Sequence, residues 1–86
     1  MTFVIGYSNQ ALKFLKQADK VLARRILDKL ELLVNEPVGR NAKAIEGYKE
    51  KLYRVRVGDY RILYEVDHEN KKIGIIKIDH RSKVYQ

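Results

Sequence analysis

Two short segments hold the residues best suited to chemistry. Residues 53–61 read YRVRVGDYR, and residues 78–86 read IDHRSKVYQ. Together they bring Arg54, Arg56, Arg61, Arg81, Lys83, His80 and Tyr85 into two compact runs. The planar guanidinium fork suits a phosphate, which it can grip with two parallel hydrogen bonds. An imidazole moves protons near neutral pH. A phenol ring can stack on an unpaired nucleobase, as in readers of single-stranded RNA. The set therefore describes a site for a phosphate that is bound and acted on. Plainer readings stand beside it: a solvated basic face, a surface histidine, and Tyr85 as an aromatic plug on the core.

The elements that must position these groups follow from periodicity. TFVIGY is a β-branched and aromatic run, which predicts a first strand. Ser8 can cap a short helix from Asn9 to about Gln17, with Ala11, Leu12 and Leu15 facing inward. Asp19 can cap a longer one to about Asn35, where Leu22, Ala23, Ile26, Leu27, Leu30, Leu33 and Val34 recur at three and four. Pro37 and Gly39 end this helical hairpin. Residues 38–51 are polar and irregular. The period then becomes two: LYRVRV and YRILYEV flank Gly58-Asp59, DHENK turns the chain, and KIGIIKI is the last strand. Gly at the first turn position suits a type II′ hairpin. The predicted fold is α+β, a strand and two helices followed by a three-stranded antiparallel meander, with the helices on one face of the sheet.

The turn also sets the hairpin register. With Gly58-Asp59 as the loop, Val57 pairs with Tyr60, Arg56 with Arg61, Val55 with Ile62 and Arg54 with Leu63. Alternation then puts Tyr53, Val55, Val57, Tyr60, Ile62 and Tyr64 on one apolar face beneath the helices. Leu52, Arg54, Arg56, Arg61, Leu63 and Glu65 share the other, which no helix remains to cover. Like charges facing each other across a ladder cost about 0.2–1 kcal/mol. Mixed signs would keep such a face soluble equally well, so a phosphate-holding cup accounts for the choice of arginine better than solubility does. If the C-terminal segment turns back along this face, it brings His80, Arg81 and Tyr85 to the cup.

Composition bounds the rest. The 86 residues predict one domain, residues 1–86. Cysteine is absent, which excludes disulfides and thiolate metal sites. The opening residues are too short for a signal peptide, and no apolar run reaches membrane length, so the expected location is the cytoplasm, with no membrane partner. The net charge is +7. Residues 1–40 carry seven Lys and Arg against four Asp and Glu, and residues 41–86 eleven against seven. Such a balance favours an anionic partner.

At these residues the sequence resembles the RelE/ParE superfamily of bacterial and archaeal type II toxins. The likeness spans nearly the whole chain. It rests on the order of elements, on LYRVRVGDYRILYEV, and on IDHRSKVY, which is similar to the His-Arg-x-x-x-Tyr ending of RelE-like members. The resemblance implies an mRNA interferase: a ribosome-dependent endoribonuclease that enters the A site of the small subunit and cuts mRNA. By implication the ribose 2′-oxygen attacks the adjacent phosphate, and no metal or other cofactor takes part. The likeness carries the family's basic pair onto Arg54 and Arg56, its central-strand arginine onto Arg61, its C-terminal arginine onto Arg81 and its terminal tyrosine onto Tyr85. Lys51 and Lys83 would add grip on RNA phosphates. It also implies a RelB-like antitoxin and a toxin–antitoxin hetero-oligomer.

One departure bears on mechanism. The best-known RelE pattern places lysines where Arg54 and Arg56 stand here, and one of those is a candidate base. An arginine, with a pKa above about 12, is a poor base at neutral pH. Arg56 is then expected to act by charge alone, and His80 becomes the candidate base or acid, with Glu46 behind it. Two other functions fit the same resemblance: a ParE-like inhibitor of DNA gyrase, and a non-catalytic RNA-binding module. ParE-like chains generally lack the full set, so Arg54, Arg56, Arg61, Arg81 and Tyr85 together favour the nuclease.

Overall fold

The computed structural model describes residues 2–39, 42–45 and 52–85. Its elements are β1 (Val4–Tyr7), α1 (Asn9–Gln17), α2 (Lys20–Asn35), β2 (Lys43–Ala44), β3 (Leu52–Val57), β4 (Tyr60–Asp67) and β5 (Lys72–His80). Both helices start where their caps predict. The Ser8 hydroxyl accepts the Ala11 N–H at 3.1 Å, and the Asp19 carboxylate accepts the Leu22 N–H at 2.8 Å. Each such cap contributes about 1 kcal/mol.

The five strands form one sheet in the order β1-β5-β4-β3-β2. The meander β3-β4-β5 is antiparallel, as periodicity predicts, and β1 joins β5 in parallel. The short β2 lies antiparallel on β3, inside a stretch expected to be irregular. Residues 46–51, with the candidates Glu46 and Lys51, lie outside the described residues. No helix among the described residues is long and apolar enough to cross a membrane.

Helices α1 and α2 cover one face of the sheet. Ile26, Leu30 and Leu33 of α2 are buried with Val55, Val57, Ile62, Tyr64, Ile73, Ile75 and Ile78. Full burial of one such aliphatic side chain is worth about 1.5–3 kcal/mol. Leu12 of α1 and Leu27 of α2, both expected to face inward, are instead 41 % and 45 % exposed. Tyr64 is fully buried and donates its hydroxyl to the Pro37 carbonyl at 2.5 Å, fastening the end of the helical hairpin to the sheet centre. Burial, helped by the neighbouring Tyr53, holds this phenol far above its ordinary pKa.

Strand β5 carries a break in register. Tyr64 pairs with Ile75, but Leu63 pairs with Lys77, so Ile76 has no partner on β4. An extra residue of this kind reverses the alternation beyond it. On the other side, β1 ends at Tyr7, and side chains continue the ladder in its place. The Ser8 hydroxyl donates to the Ile76 carbonyl at 2.6 Å. The Gln10 amide donates to the Ile78 carbonyl at 2.6 Å and accepts the Ile78 N–H at 2.9 Å. The start of α1 thus fixes the end of β5.

Candidate functional site

The β3–β4 hairpin has the register its turn predicts, with Arg56 opposite Arg61 and Arg54 opposite Leu63. Gly58 has φ +60°, the positive value that the first position of this turn requires. A Cβ at Gly58 would be strained by this φ and would stand 3.1 Å from Nη2 of Arg25, whose guanidinium would have to give by a few tenths of an ångström.

On the face opposite the helices, one row runs across three strands: Arg56 on β3, Arg61 on β4 and Asp79 on β5. The next row is Arg54, Leu63 and Lys77. Arg61 is 8 % exposed, which makes it the buried cation of the site. Its Nη1 donates to the Gly58 and Tyr60 carbonyls at 3.0 and 2.9 Å. Among the described residues, no carboxylate lies within 4.0 Å of Arg54, Arg56 or Arg61. A buried charge without a counter-ion is costly. Among the described residues, then, the cluster holds no ion pair, and an incoming anion would meet unpaired guanidinium groups.

The C-terminal segment turns back over this face, as the sequence suggested it could. The Arg81 N–H donates to the Asp59 carbonyl at 2.8 Å, tying the segment to the hairpin turn. The Lys83 and Val84 N–H groups donate to the His80 carbonyl at 2.9 and 3.0 Å. Lys77 Nζ reaches the Lys83 carbonyl at 3.4 Å. Val84 is buried at 1 % exposure, while Tyr85 is 52 % exposed. Val84 is therefore the buried apolar residue of the tail, and the alternative that Tyr85 is an aromatic plug is overturned. Nη1 of Arg54 donates to the Tyr85 hydroxyl at 3.1 Å, which brings the phenol over the β3 side of the cluster. The face left open by the helices is thus partly closed by the tail; Arg61 is buried and Arg56 exposed.

A family model described as the ParE toxin of type II toxin–antitoxin systems (parDE) matches residues 5–85. The chain belongs to the RelE/ParE superfamily of type II toxins. The toxin RelG of Mycobacterium tuberculosis is 28 % identical to it over 87 residues, covering 100 % of this chain and 99 % of RelG. A chain of the archaeal RelE–RelB complex from Pyrococcus horikoshii OT3 is 35 % identical, with a TM-score of 0.83 over 98 % of this toxin and 100 % of that chain. A chain of the RelB–RelE complex from Methanococcus jannaschii is 28 % identical, with a TM-score of 0.72 over 93 % and 94 %.

In this toxin Arg54, Arg56, Arg61 and Tyr85 gather on one face, and Arg81 and Lys83 stand on the segment that crosses it. His80 does not join them. It belongs to β5, where it pairs with Tyr60 on the helix side. Its ring meets the Tyr60 ring edge-on at 5.5 Å, and Tyr60 in turn meets Phe14 of α1 at 5.6 Å. Its Nδ1 lies 2.8 Å from the Ser82 hydroxyl and accepts the Ser82 N–H at 3.2 Å. These contacts hold His80 at the root of the tail, across the sheet from the arginines. The residue that sequence reasoning missed is Asp79. The bulge at Ile76 decides which of the two neighbours shares the arginine face, and the amino-acid pattern gave no sign of it.

Proposed function

We propose that this toxin is a ribosome-dependent endoribonuclease that cuts mRNA in the A site by metal-free attack of the ribose 2′-oxygen on the adjacent phosphate. The observation that supports this most strongly is Arg61, buried, flanked by Arg56 and, among the described residues, with no carboxylate within 4.0 Å. A phosphate seated there meets two guanidinium groups in one row, with Arg54 behind them and Arg81 on the tail. Fixed positive charge aimed at a phosphorane lowers the barrier because the site need not reorganise as charge develops. Arginine cannot begin the reaction, since it stays protonated. Tyr85 offers an exposed ring for stacking on a base, and Arg54 donates to its oxygen, leaving the phenol's own proton to be given to the leaving oxygen.

A RelB-like antitoxin is the partner we infer, because relatives of this fold occur in RelE–RelB complexes and a face this basic calls for an acidic cover. The match to the ParE description favours one second reading, a DNA gyrase inhibitor with no nuclease chemistry. Adding the purified protein to translating ribosomes and mapping mRNA 5′ ends separates the two. New ends within the A-site codon are expected. Intact mRNA together with gyrase-trapped DNA breaks would replace the nuclease by the gyrase inhibitor.

A further inference from the structure

Resting on that nuclease reading, we propose that Asp79 is its general base, the group that takes the proton from the attacking 2′-hydroxyl. Three observations carry this. First, Asp79 shares a row with Arg61 and Arg56 and therefore their face of the sheet. Second, it is held beside the arginines rather than on them. Its Oδ1 accepts the N–H of His80 at 2.8 Å, and no arginine of the hairpin lies within 4.0 Å. A carboxylate placed only to damp repulsion would be expected to pair with the guanidinium opposite. Third, no other carboxylate among the described residues shares this row, and the nearest on the same face, Glu65, lies across Gly74, two rows away.

The placement also matches the geometry of the reaction. The attacking and leaving oxygens stand roughly in line on opposite sides of the phosphorus. Asp79 is on β5, and the Tyr85 hydroxyl is brought to the β3 side by Arg54. The arginine row spans two strand spacings, roughly 10 Å, between them. In the step, the 2′-oxygen forms its bond to phosphorus as Asp79 takes its proton. The bond from phosphorus to the 5′-oxygen breaks, and the Tyr85 hydroxyl protonates that oxygen. The products are a 2′,3′-cyclic phosphate and a 5′-hydroxyl. Asp79 then returns its proton through water to the phenolate, which restores both groups.

The test compares the full-length wild type, Asp79→Asn and Asp79→Glu on translating ribosomes, measuring single-turnover cleavage and binding to the same complexes. Asparagine can still accept the His80 N–H, so the fold is expected to hold, which an unchanged Tm would verify. The expected result for Asp79→Asn is a cleavage rate lower by about 10²–10⁴-fold with binding equal or tighter. Partial recovery in Asp79→Glu is also expected. If the wild type cuts and Asp79→Asn cuts as fast or faster, the carboxylate only damps charge and the base assignment falls while the nuclease stands. If the wild type itself does not cut, both fall.

Discussion

The two faces of the β3–β4 hairpin share one backbone and one register, yet they follow different rules. On the helix side, Val55, Val57, Ile62 and Tyr64 are buried against α2 and β5, and each is fixed by the volume around it. On the other side, Arg54, Arg56 and Arg61 gather charge and make no ion pair within 4.0 Å among the described residues. The first face is explained by folding alone. The second places like charges side by side, at a cost to stability that a bound anion would offset. Stability and activity should therefore separate cleanly by face.

The largest expected effect tests the charged face. Arg61→Ala should lower single-turnover mRNA cleavage by about 10²–10³-fold, the size seen when one stabiliser of a developing oxyanion is removed. Next in size, Ile62→Ala should cost about 2–5 kcal/mol in denaturant unfolding, since the side chain is completely buried. The cleavage rate of the fraction that remains folded should stay near that of the wild type. A loss of activity larger than the loss of folded protein would show that the faces are not separable.

Tyr64 gives a smaller, pH-dependent contrast. Its folded pKa lies above the unfolded value of about 10. The folded state then holds its proton when the unfolded state has released one, so stability is full below about pH 10 and falls as pH rises beyond it. Chemical denaturation from pH 8 to 11 should show this fall, and Tyr64→Phe should remove it. The same variant should lose about 1–3 kcal/mol at pH 7, because the buried Pro37 carbonyl loses its donor. The smallest effect belongs to the far turn. The Asn70 side chain, above all, hydrogen-bonds Asp67 and holds its carboxyl below its ordinary pKa. That contribution is present above about pH 4 and is lost as pH falls through the lowered value. Asn70→Ala should leave stability at pH 7 close to that of the wild type, as read by denaturant unfolding.

Much of this was legible in the sequence, because local chemistry decides it. Ser8 and Asp19 mark the helix starts, and Gly58-Asp59 sets the register that separates the arginines from the core. The family likeness of the two arginine-bearing segments agrees with the match over residues 5–85. Two features were hidden. The placement of β1 beside β5 is a long-range pairing that alternation cannot assign. The bulge at Ile76 is a single residue without a β4 partner, and it lies where Ser8 and Gln10, at the start of α1, grip the β5 backbone. Unbroken alternation from Ile73 and Ile75 would put Asp79 in the core and His80 among the arginines. The bulge exchanges them. A one-residue shift of this kind moves chemistry from one face of a sheet to the other without changing the composition of either segment.

The central claim is that the arginine row exists for a phosphate and not for the fold. Arg56 tests it most directly, being exposed and opposite Arg61. Single-turnover cleavage on programmed ribosomes and the Tm should be measured on one preparation of Arg56→Ala. The expected result is a Tm equal to or above that of the wild type, as a like-charge pair is removed, with a cleavage rate lower by at least about tenfold. A lowered Tm with undiminished cleavage would contradict it.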